Sequence, residues 1–359
     1  MMNRRRFLVG SGALLAANPF VMKLSRFADR RPWRTFTVRT HLEVLRPRGT
    51  TRVWLPLPLQ GATAYQRRVA DTVDPGEGTA RVVTLSSELS MVVATWPPGV
   101  RPALSAESQV STCDIHVDWR EQGDRKIEAA DRARFVAATR MIPTDGIVRK
   151  TALAVTQGNR SDLEKARAIY DWIVENTFRD PTAQGCGLGN IRFMLETNNL
   201  GGKCADLNAL FVGLARAAGI PARDVYGLRV APSRLECKSL GVKSEVVTTS
   251  QHCRAEVHLD GYGWVPVDPA DVRKVILEEP PGKLPMDDPR VQRTRSRLFG
   301  SWEMNWIAFN YAHDVTLPES THAPLVYFMY PQAETEDGRI DSLDPEHFKY
   351  EITVQERTS

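Results

Sequence analysis

The spacing of apolar residues changes its period twice along this chain of 359 residues, and this change constrains the fold more than any other feature. In the first third, short runs alternate between apolar and polar residues, and turns rich in Pro and Gly separate them. Such alternation is typical of strands with one buried face, so this region predicts a β-sandwich that acts as a packing or recognition module. The runs lie at 35–44, 52–57, 82–85, 90–96 and 113–119.

The period lengthens to that of a helix in the middle of the chain. Ser161 and Glu164 have the spacing of a capping box, and the apolar residues after them predict a helix over about 162–176. A second apolar stripe begins at Cys204, and Gly219 marks the end of that helix.

The two-residue alternation returns after the second helix. It predicts strands at 225–230 and 251–259, and a hairpin turn over 260–263 leads into a strand that ends at Asp268. Helices followed by an antiparallel sheet are typical of an α+β fold. A final strand is expected over 348–354.

These patterns divide the chain into four segments. We predict an export signal over 1–31, a β-sandwich domain over 32–135, an α+β core over 136–285 and a C-terminal segment over 286–359 that completes the core.

The export signal is predicted from three arginines at 4–6 and the uncharged stretch from Phe7 to Met22, which resemble a twin-arginine signal. Gly, Ser, Asn and Pro interrupt the stretch, and it is shorter than the roughly 20 apolar residues that a spanning helix needs. We therefore expect a periplasmic or extracellular protein, exported by the twin-arginine route, without a stable transmembrane anchor. Whether the signal is cleaved stays open, and a basic N-terminus of a cytosolic protein is the alternative.

The charge balance argues against a nucleic-acid-binding protein. The 47 Lys and Arg exceed the 43 Asp and Glu by four, but seven of the basic residues lie within the first 31 positions. Beyond these positions the balance is slightly acidic, whereas a nucleic-acid-binding surface would remain basic.

The five cysteines contain no C-x-x-C pair, so we expect no structural zinc site. Their odd number leaves at least one thiol without a disulfide partner within an exported chain. We expect two of the four cysteines other than Cys204 to pair, and the sequence does not indicate which. The four are Cys113, Cys186, Cys237 and Cys253.

Cys204 is predicted at the first turn of a helix, where the helix dipole and unpaired N–H groups favour a thiolate. His252 lies on the polar face of the strand 251–259, and the hairpin brings Asp268 to the same end of that strand. A carboxylate in this place could orient the imidazole. His258, near the turn, is the rival base.

Three segments of the sequence together resemble the transglutaminase-like cysteine-enzyme superfamily. They are Gly-Gly-Lys-Cys204-Ala-Asp-Leu-Asn, His252-x-x-x-Glu256 and Gly261-Tyr-Gly-Trp264-Val-Pro-Val-Asp268-Pro. The resemblance covers about residues 160–275 and keeps the family's order Cys, His, Asp. It implies an α+β fold with a papain-like or transglutaminase-like core, in which the helix that carries the cysteine packs on an antiparallel sheet. An all-β sandwich domain precedes this core in the sequence.

The resemblance implies that Cys204 is the nucleophile, that His252 is its base and later its acid, and that Asp268 orients His252. Arg254 stands where the family often has an aromatic residue. The implied reaction is hydrolysis of peptide or amide bonds through a thioester, on a protein, peptide or cell-envelope amide, without cofactor or metal. Two alternatives are protein-glutamine amine acyltransfer and a non-catalytic binding or assembly module that retains the fold.

Overall fold

The computed structural model describes residues 32–61 and 63–357, so the predicted export signal over 1–31 lies outside the described residues. Within the described ranges, no helix is long and apolar enough to cross a bilayer. The helices are α1 (Ala129–Val136), α2 (Gly146–Val155), α3 (Asp162–Asn176), α4 (Ile191–Glu196), α5 (Cys204–Ala217), α6 (Pro269–Glu278) and α7 (Pro289–Arg297). The strands are β1 (Arg34–Val44), β2 (Thr51–Pro56), β3 (Gln66–Asp74), β4 (Thr79–Ser86), β5 (Leu89–Trp96), β6 (Ala103–Thr112), β7 (Ile115–His116), β8 (Phe178–Arg179), β9 (Gly201–Gly202), β10 (Ala222–Arg229), β11 (Gln251–Leu259), β12 (Gly263–Val267), β13 (Ser301–Trp302), β14 (Trp306–Asn310), β15 (His313–Val315), β16 (Leu325–Tyr327), β17 (Gln332–Thr335), β18 (Gly338–Ile340) and β19 (Phe348–Arg357).

Two antiparallel sheets form the predicted sandwich. Their strand orders are β19-β1-β6-β3 and β18-β17-β2-β5-β4. Leu42 and Leu104 from the first sheet and Val53 from the second belong to one buried cluster. Burial of such side chains between two sheets is the main stabilising interaction of a sandwich.

Four strands of the sandwich, β3, β6, β17 and β18, have no counterpart among the predicted strands. The buried face of β6 includes Ala106, Ser108 and Thr112, and these small or polar residues conceal the alternation. The prediction of a strand over 113–119 is wrong, because only the two residues of β7 in this range form a strand.

The core consists of helices packed on a second antiparallel sheet with the order β12-β11-β10-β14. α5 lies against β11 and buries Leu207, Leu210 and Phe211 completely. It begins at Cys204, as predicted, and Gly219 follows its end with a φ of +85°, a conformation that favours glycine. The predicted α+β fold, with the cysteine-bearing helix packed on an antiparallel sheet, is confirmed.

The capping box at the start of α3 is also confirmed. The backbone N–H of Glu164 donates to Ser161 Oγ at 3.2 Å, and the backbone N–H of Ser161 donates to Glu164 Oε2 at 2.9 Å. These two bonds satisfy donors that a helix start otherwise leaves unpaired. α3 therefore begins where the sequence predicts.

The hairpin of β11 and β12 sets the register between the two strands of the predicted site. Ala255 lies opposite Val267, so the residue after Val267, Asp268, lies beside Arg254. Every residue of β11 is buried, and the face that carries His252 is therefore covered by other parts of the chain.

The C-terminal segment 286–359 contributes strands to two layers. β14 joins the core sheet beside β10, whereas β19 pairs with β1 of the sandwich, from Thr35 opposite Arg357 to Val44 opposite Phe348. β17 pairs with β2 in the other sheet of the sandwich. The predicted boundaries of the segments stay a prediction.

Candidate active site

Cys204 is the first residue of α5, and only 4% of its surface is exposed. Asp206, in the same turn, accepts hydrogen bonds from the backbone N–H groups of Lys203 at 3.0 Å, Leu188 at 3.0 Å and Gly189 at 2.9 Å. The carboxylate thus fastens the glycine-rich loop over 184–190 to the start of the helix. This fastening fixes the place of Cys204, where the helix dipole favours a negative charge.

The glycine pair before Cys204 is required by the packing of the chain itself. A Cβ on Gly201 would lie 2.3 Å from the ring of Phe178, and one on Gly202 would lie 2.4 Å from the Cβ of Asp206. The side chains of Phe178 and Asp206 therefore occupy the space beside both glycines.

His252 and Asp268 meet across the hairpin of β11 and β12. His252 Nε2 lies 2.8 Å from Asp268 Oδ2, and both residues are buried. The other carboxylate oxygen, Oδ1, accepts from the backbone N–H of Asp271 at 3.1 Å and from the side-chain amide of Asn208 at 3.2 Å. These bonds hold the carboxylate so that one oxygen faces the imidazole.

Cys204 lies beside three groups that stabilise its thiolate. Hydrogen bonds from the thiols of Cys186 and Cys253, and then the hydrogen bond and positive charge of His252, hold the pKa of Cys204 well below its ordinary range. These effects outweigh burial, which favours the neutral thiol. The hydrogen bond to Cys204, followed by burial, raises the pKa of Cys186, and burial followed by the same kind of bond raises that of Cys253. Of the three neighbouring thiols, Cys204 is therefore the one whose ionisation is favoured.

His252 is surrounded by charges of both signs. Burial and the positive charge of Arg229 oppose its protonation, but Asp271 and Asp268 outweigh them and raise the pKa of His252 to about 9. The imidazole is accordingly protonated at neutral pH. The structure thus brings the three predicted residues together, with a thiol whose pKa is lowered next to an imidazole whose pKa is raised.

Arg254 lies between two indole rings. Its guanidinium carbon is 4.9 Å from the ring centroid of Trp306 and 5.3 Å from that of Trp302. The two indole N–H groups donate to the backbone oxygens of His252 at 2.8 Å and Val267 at 3.3 Å. Both tryptophans are buried, so they brace the strands of the site as part of the core.

A metal ion fits this cluster poorly. His252, Asp268 and Asp271 offer ligand atoms that lie within 4.8 Å of one another. However, Arg229 donates to both oxygens of Asp271, at 2.6 and 2.8 Å, and Arg254 Nε lies 3.7 Å from Asp268 Oδ2. The two guanidinium groups would repel a divalent cation at close range, and they repel the single positive charge of the His252 imidazolium less strongly.

Three residues of the site were not found by the sequence reasoning. Asp271 follows Asp268 by three positions at the start of a helix, and Asn208 follows Cys204 by four positions within one. Each spacing places the pair on one helix face, which is a usable signal. Arg229, at the end of β10, carries no such local signal.

The rival base His258 is buried at the other end of β11, not at the surface. Its ring centroid lies 5.4 Å from that of Trp264, and its Nδ1 lies 3.7 Å from Asp260 Oδ1. Six positions along the strand separate it from His252, which corresponds to roughly 20 Å.

The predicted disulfide between two of the cysteines other than Cys204 is not formed. Cys186, Cys237 and Cys253 are free thiols, and each is buried. Two of them, Cys186 and Cys253, lie beside Cys204, and the thiol of Cys186 donates to the backbone oxygen of Gln251 at 3.3 Å.

The sequence is similar to one family model and to two uncharacterized bacterial proteins. The family model of the transglutaminase-like superfamily matches residues 149–269. An uncharacterized protein of Haemophilus influenzae is 36% identical over 334 residues, which cover 84% of this chain and 85% of that protein. The uncharacterized protein YebA of Bacillus subtilis is 30% identical over 127 residues, or 34% of this chain and 17% of that protein.

Among solved structures, a candidate cysteine protease from Cytophaga hutchinsonii matches 91% of this chain and 92% of its own, with a TM-score of 0.55 and 15% identity. At this identity the likeness concerns the fold alone. It extends over both the sandwich and the core, since it covers nearly the whole chain.

Proposed function

The chain belongs to the transglutaminase-like superfamily, and we propose that it is a cysteine hydrolase that cleaves peptide or amide bonds with Cys204, His252 and Asp268. One observation carries the proposal. Cys204 lies at the start of α5 beside an imidazole whose Nε2 is 2.8 Å from a buried carboxylate. This is the arrangement that activates a thiol and keeps its base in one orientation.

In the first step the Cys204 thiolate attacks the carbonyl carbon of the amide. Nε2 of His252 is engaged with Asp268, so Nδ1 is the nitrogen left to give a proton to the departing nitrogen. A C–S bond forms, the C–N bond breaks, and an amine leaves while a thioester remains. The backbone N–H of Cys204, at the positive end of the helix, is placed to stabilise the oxyanion.

In the second step water attacks the thioester. His252, neutral after the first step, accepts a proton from this water as the C–O bond forms. The C–S bond then breaks, the acid is released, and the thiolate and imidazolium are restored. An amine in place of water would give acyl transfer to a new amide.

The proposed substrates are proteins, peptides or cell-envelope amides met in the periplasm or outside the cell. The arginines at 4–6 and the uncharged stretch behind them support export.

The test is the rate at which iodoacetamide alkylates Cys204 as a function of pH, read by peptide mass spectrometry beside Cys237 in the same molecule. We expect Cys204 to react fast well below pH 8 in the wild type and in His258→Ala, and to lose this advantage in His252→Ala. Cys237, whose pKa is raised by burial, serves as the internal control. Equal rates at Cys204 and Cys237 in the wild type would refute a catalytic thiolate.

A second experiment separates hydrolysis from acyl transfer. Peptide substrates are incubated with a labelled primary amine, and the products are identified by mass spectrometry. Release of free acid in excess over the labelled amide supports the hydrolase. Preferential incorporation of the amine would make acyl transfer the main reaction.

A further inference from the structure

The Nε2–H group of His252 faces two carboxylates. Asp268 Oδ2 lies at 2.8 Å and Asp271 Oδ2 at 3.5 Å from Nε2. Both acids come from the start of α6, where Asp268 is the N-cap and Asp271 lies three residues further. The positive end of this helix favours both negative charges.

Asp271 is completely buried, and a lone buried carboxylate would take up a proton. Arg229 prevents this, since its Nη2 donates to both oxygens of Asp271 at 2.6 and 2.8 Å. The same guanidinium donates to the backbone oxygen of Leu240, which fixes its position. Although burial opposes ionisation, Arg229 and then His252 hold the pKa of Asp271 well below its ordinary range.

We propose that Asp271 is a second positioning residue for His252, which keeps the imidazole protonated both by its own charge and by neutralising Arg229. This inference deepens the proposed function and rests on it. In this arrangement Asp268 orients the ring of His252. Asp271 neutralises the buried charge of Arg229, which would otherwise favour loss of the proton that His252 gives to the leaving group.

The charged and titratable groups around His252 come from four elements and one loop. They are Arg229 on β10, Cys253 and Arg254 on β11, Cys204 on α5, Asp268 and Asp271 on α6, and Cys186 in the glycine-rich loop. Two of the positive groups are permanently charged arginines, so the protonation of His252 depends on both carboxylates.

Two substitutions in one ion pair should therefore have opposite effects. Asp271→Asn leaves Arg229 unpaired near the imidazole and should lower the pH at which His252 titrates by about 1 to 3 units. Arg229→Gln removes a positive charge, and Asp271 keeps an ionised partner in the imidazolium of His252, whose Nε2 lies 3.5 Å from Asp271 Oδ2, so this substitution should keep or raise that pH. A mere loosening of the fold would bring both variants toward the ordinary pKa of histidine.

The experiment is an NMR titration of the full chain labelled with 13C-histidine. The resonance of His252 is assigned by its loss in His252→Gln, and its midpoint is followed from pH 5 to 10 in the wild type, Asp271→Asn, Asp271→Glu and Arg229→Gln. We expect a wild-type midpoint of about 9, a large downward shift for Asp271→Asn, most of the wild-type value for Asp271→Glu and no downward shift for Arg229→Gln.

Unchanged titration in folded Asp271→Asn would overturn the inference. A downward shift in Arg229→Gln would also overturn it, and this test holds even where Asp271→Asn does not fold. Failure of the proposed function has a different signature, because Cys204 would then alkylate no faster than Cys237 in the wild type whatever the titration of His252.

Discussion

The two halves of β11 are buried to the same degree, but they use their charges differently. In the second half, Glu256 pairs with Arg223, whose Nη2 lies 2.6 Å from Glu256 Oε2 and whose guanidinium carbon lies 4.0 Å from the ring centroid of Trp264 and 3.9 Å from that of Tyr311. The two charges are each other's ion-pair partners, and two aromatic rings cover the guanidinium. The pair joins β10 to β11.

In the first half, His252 lies among two carboxylates, two guanidinium groups and a thiolate. Its charge can change within the ordinary pH range, whereas the guanidinium of Arg223 is permanently charged. The comparison teaches that a buried ion pair does not by itself mark a site. A titratable group that lies beside a second one, as His252 lies beside Cys204, is the stronger sign.

Cys204→Ala should break the function of the first half with the largest effect. We expect hydrolysis to fall by about a thousandfold or more, because no other thiolate can replace the nucleophile. The measurement is peptide hydrolysis by the variant, with circular dichroism to show that it remains folded. Cys237→Ala, a buried thiol away from the site, is the matched control and should retain activity.

Glu256→Gln, in the second half, should lower the stability of the protein and leave the reactivity of Cys204 unchanged. Removing one partner leaves a buried Arg223 charge uncompensated, which costs about 3 to 5 kcal/mol of the free energy of unfolding. Denaturant unfolding measures this loss. The alkylation rate of Cys204 in the folded variant should stay at the wild-type value, and a marked drop would mean that the two halves are coupled.

The pH dependence of stability should separate the two charges of the first half. The raised pKa of His252 gives a stabilisation that is complete below pH 6.5 and is lost as the pH rises through about 9. The lowered pKa of Cys204 gives one that is complete above its unfolded value of 9.0 and is lost as the pH falls through its folded value. The two slopes therefore oppose each other in the wild type between pH 6.5 and 9.

Cys204→Ala removes one slope and exposes the other. Relative to the wild type, its free energy of unfolding should fall by about 1 to 3 kcal/mol as the pH rises from 6.5 to 9. Urea unfolding at several pH values measures the difference. Parallel curves for the two proteins would show that Cys204 is not held as a thiolate in this window, and a flat curve for Cys204→Ala would show that His252 is not held protonated.

His258→Gln should have the smallest effect. His258 lies in the second half of the strand, beside Trp264, and has no role in the proposed reaction. We expect kcat/KM to stay within about twofold of the wild type, which corresponds to less than 0.5 kcal/mol. A tenfold loss in the peptide hydrolysis assay would shift the site toward the turn.

The elements around the site could be predicted because their signals are local. The capping box of α3 and the glycine after α5 are hydrogen-bonding and backbone requirements that neighbouring residues satisfy. The bounds of β11 follow from its alternation and from the turn at Gly261. These patterns, with the order Cys, His, Asp, also put Cys204, His252 and Asp268 within reach of one another.

The rest depends on contacts between residues far apart in the sequence. Arg229 reaches Asp271 across two elements, and Cys186 reaches Cys204 from a loop, so neither contact leaves a periodic trace. The alternation of β11 suggested an open polar face, but ion pairs and indole rings cover that face. Tertiary pairing of polar side chains, which composition does not reveal, decided both outcomes.

The pairing of β19 with β1 determines when during synthesis the sandwich can be completed. β1 leaves the ribosome well before β19, so one edge of β1 stays without its partner until β19 has been synthesised. Contacts so distant in sequence form slowly, and an unpaired strand edge readily binds other chains. Nascent chains that have not yet reached β19, and truncated chains that end before Phe348, should therefore be the species that aggregate.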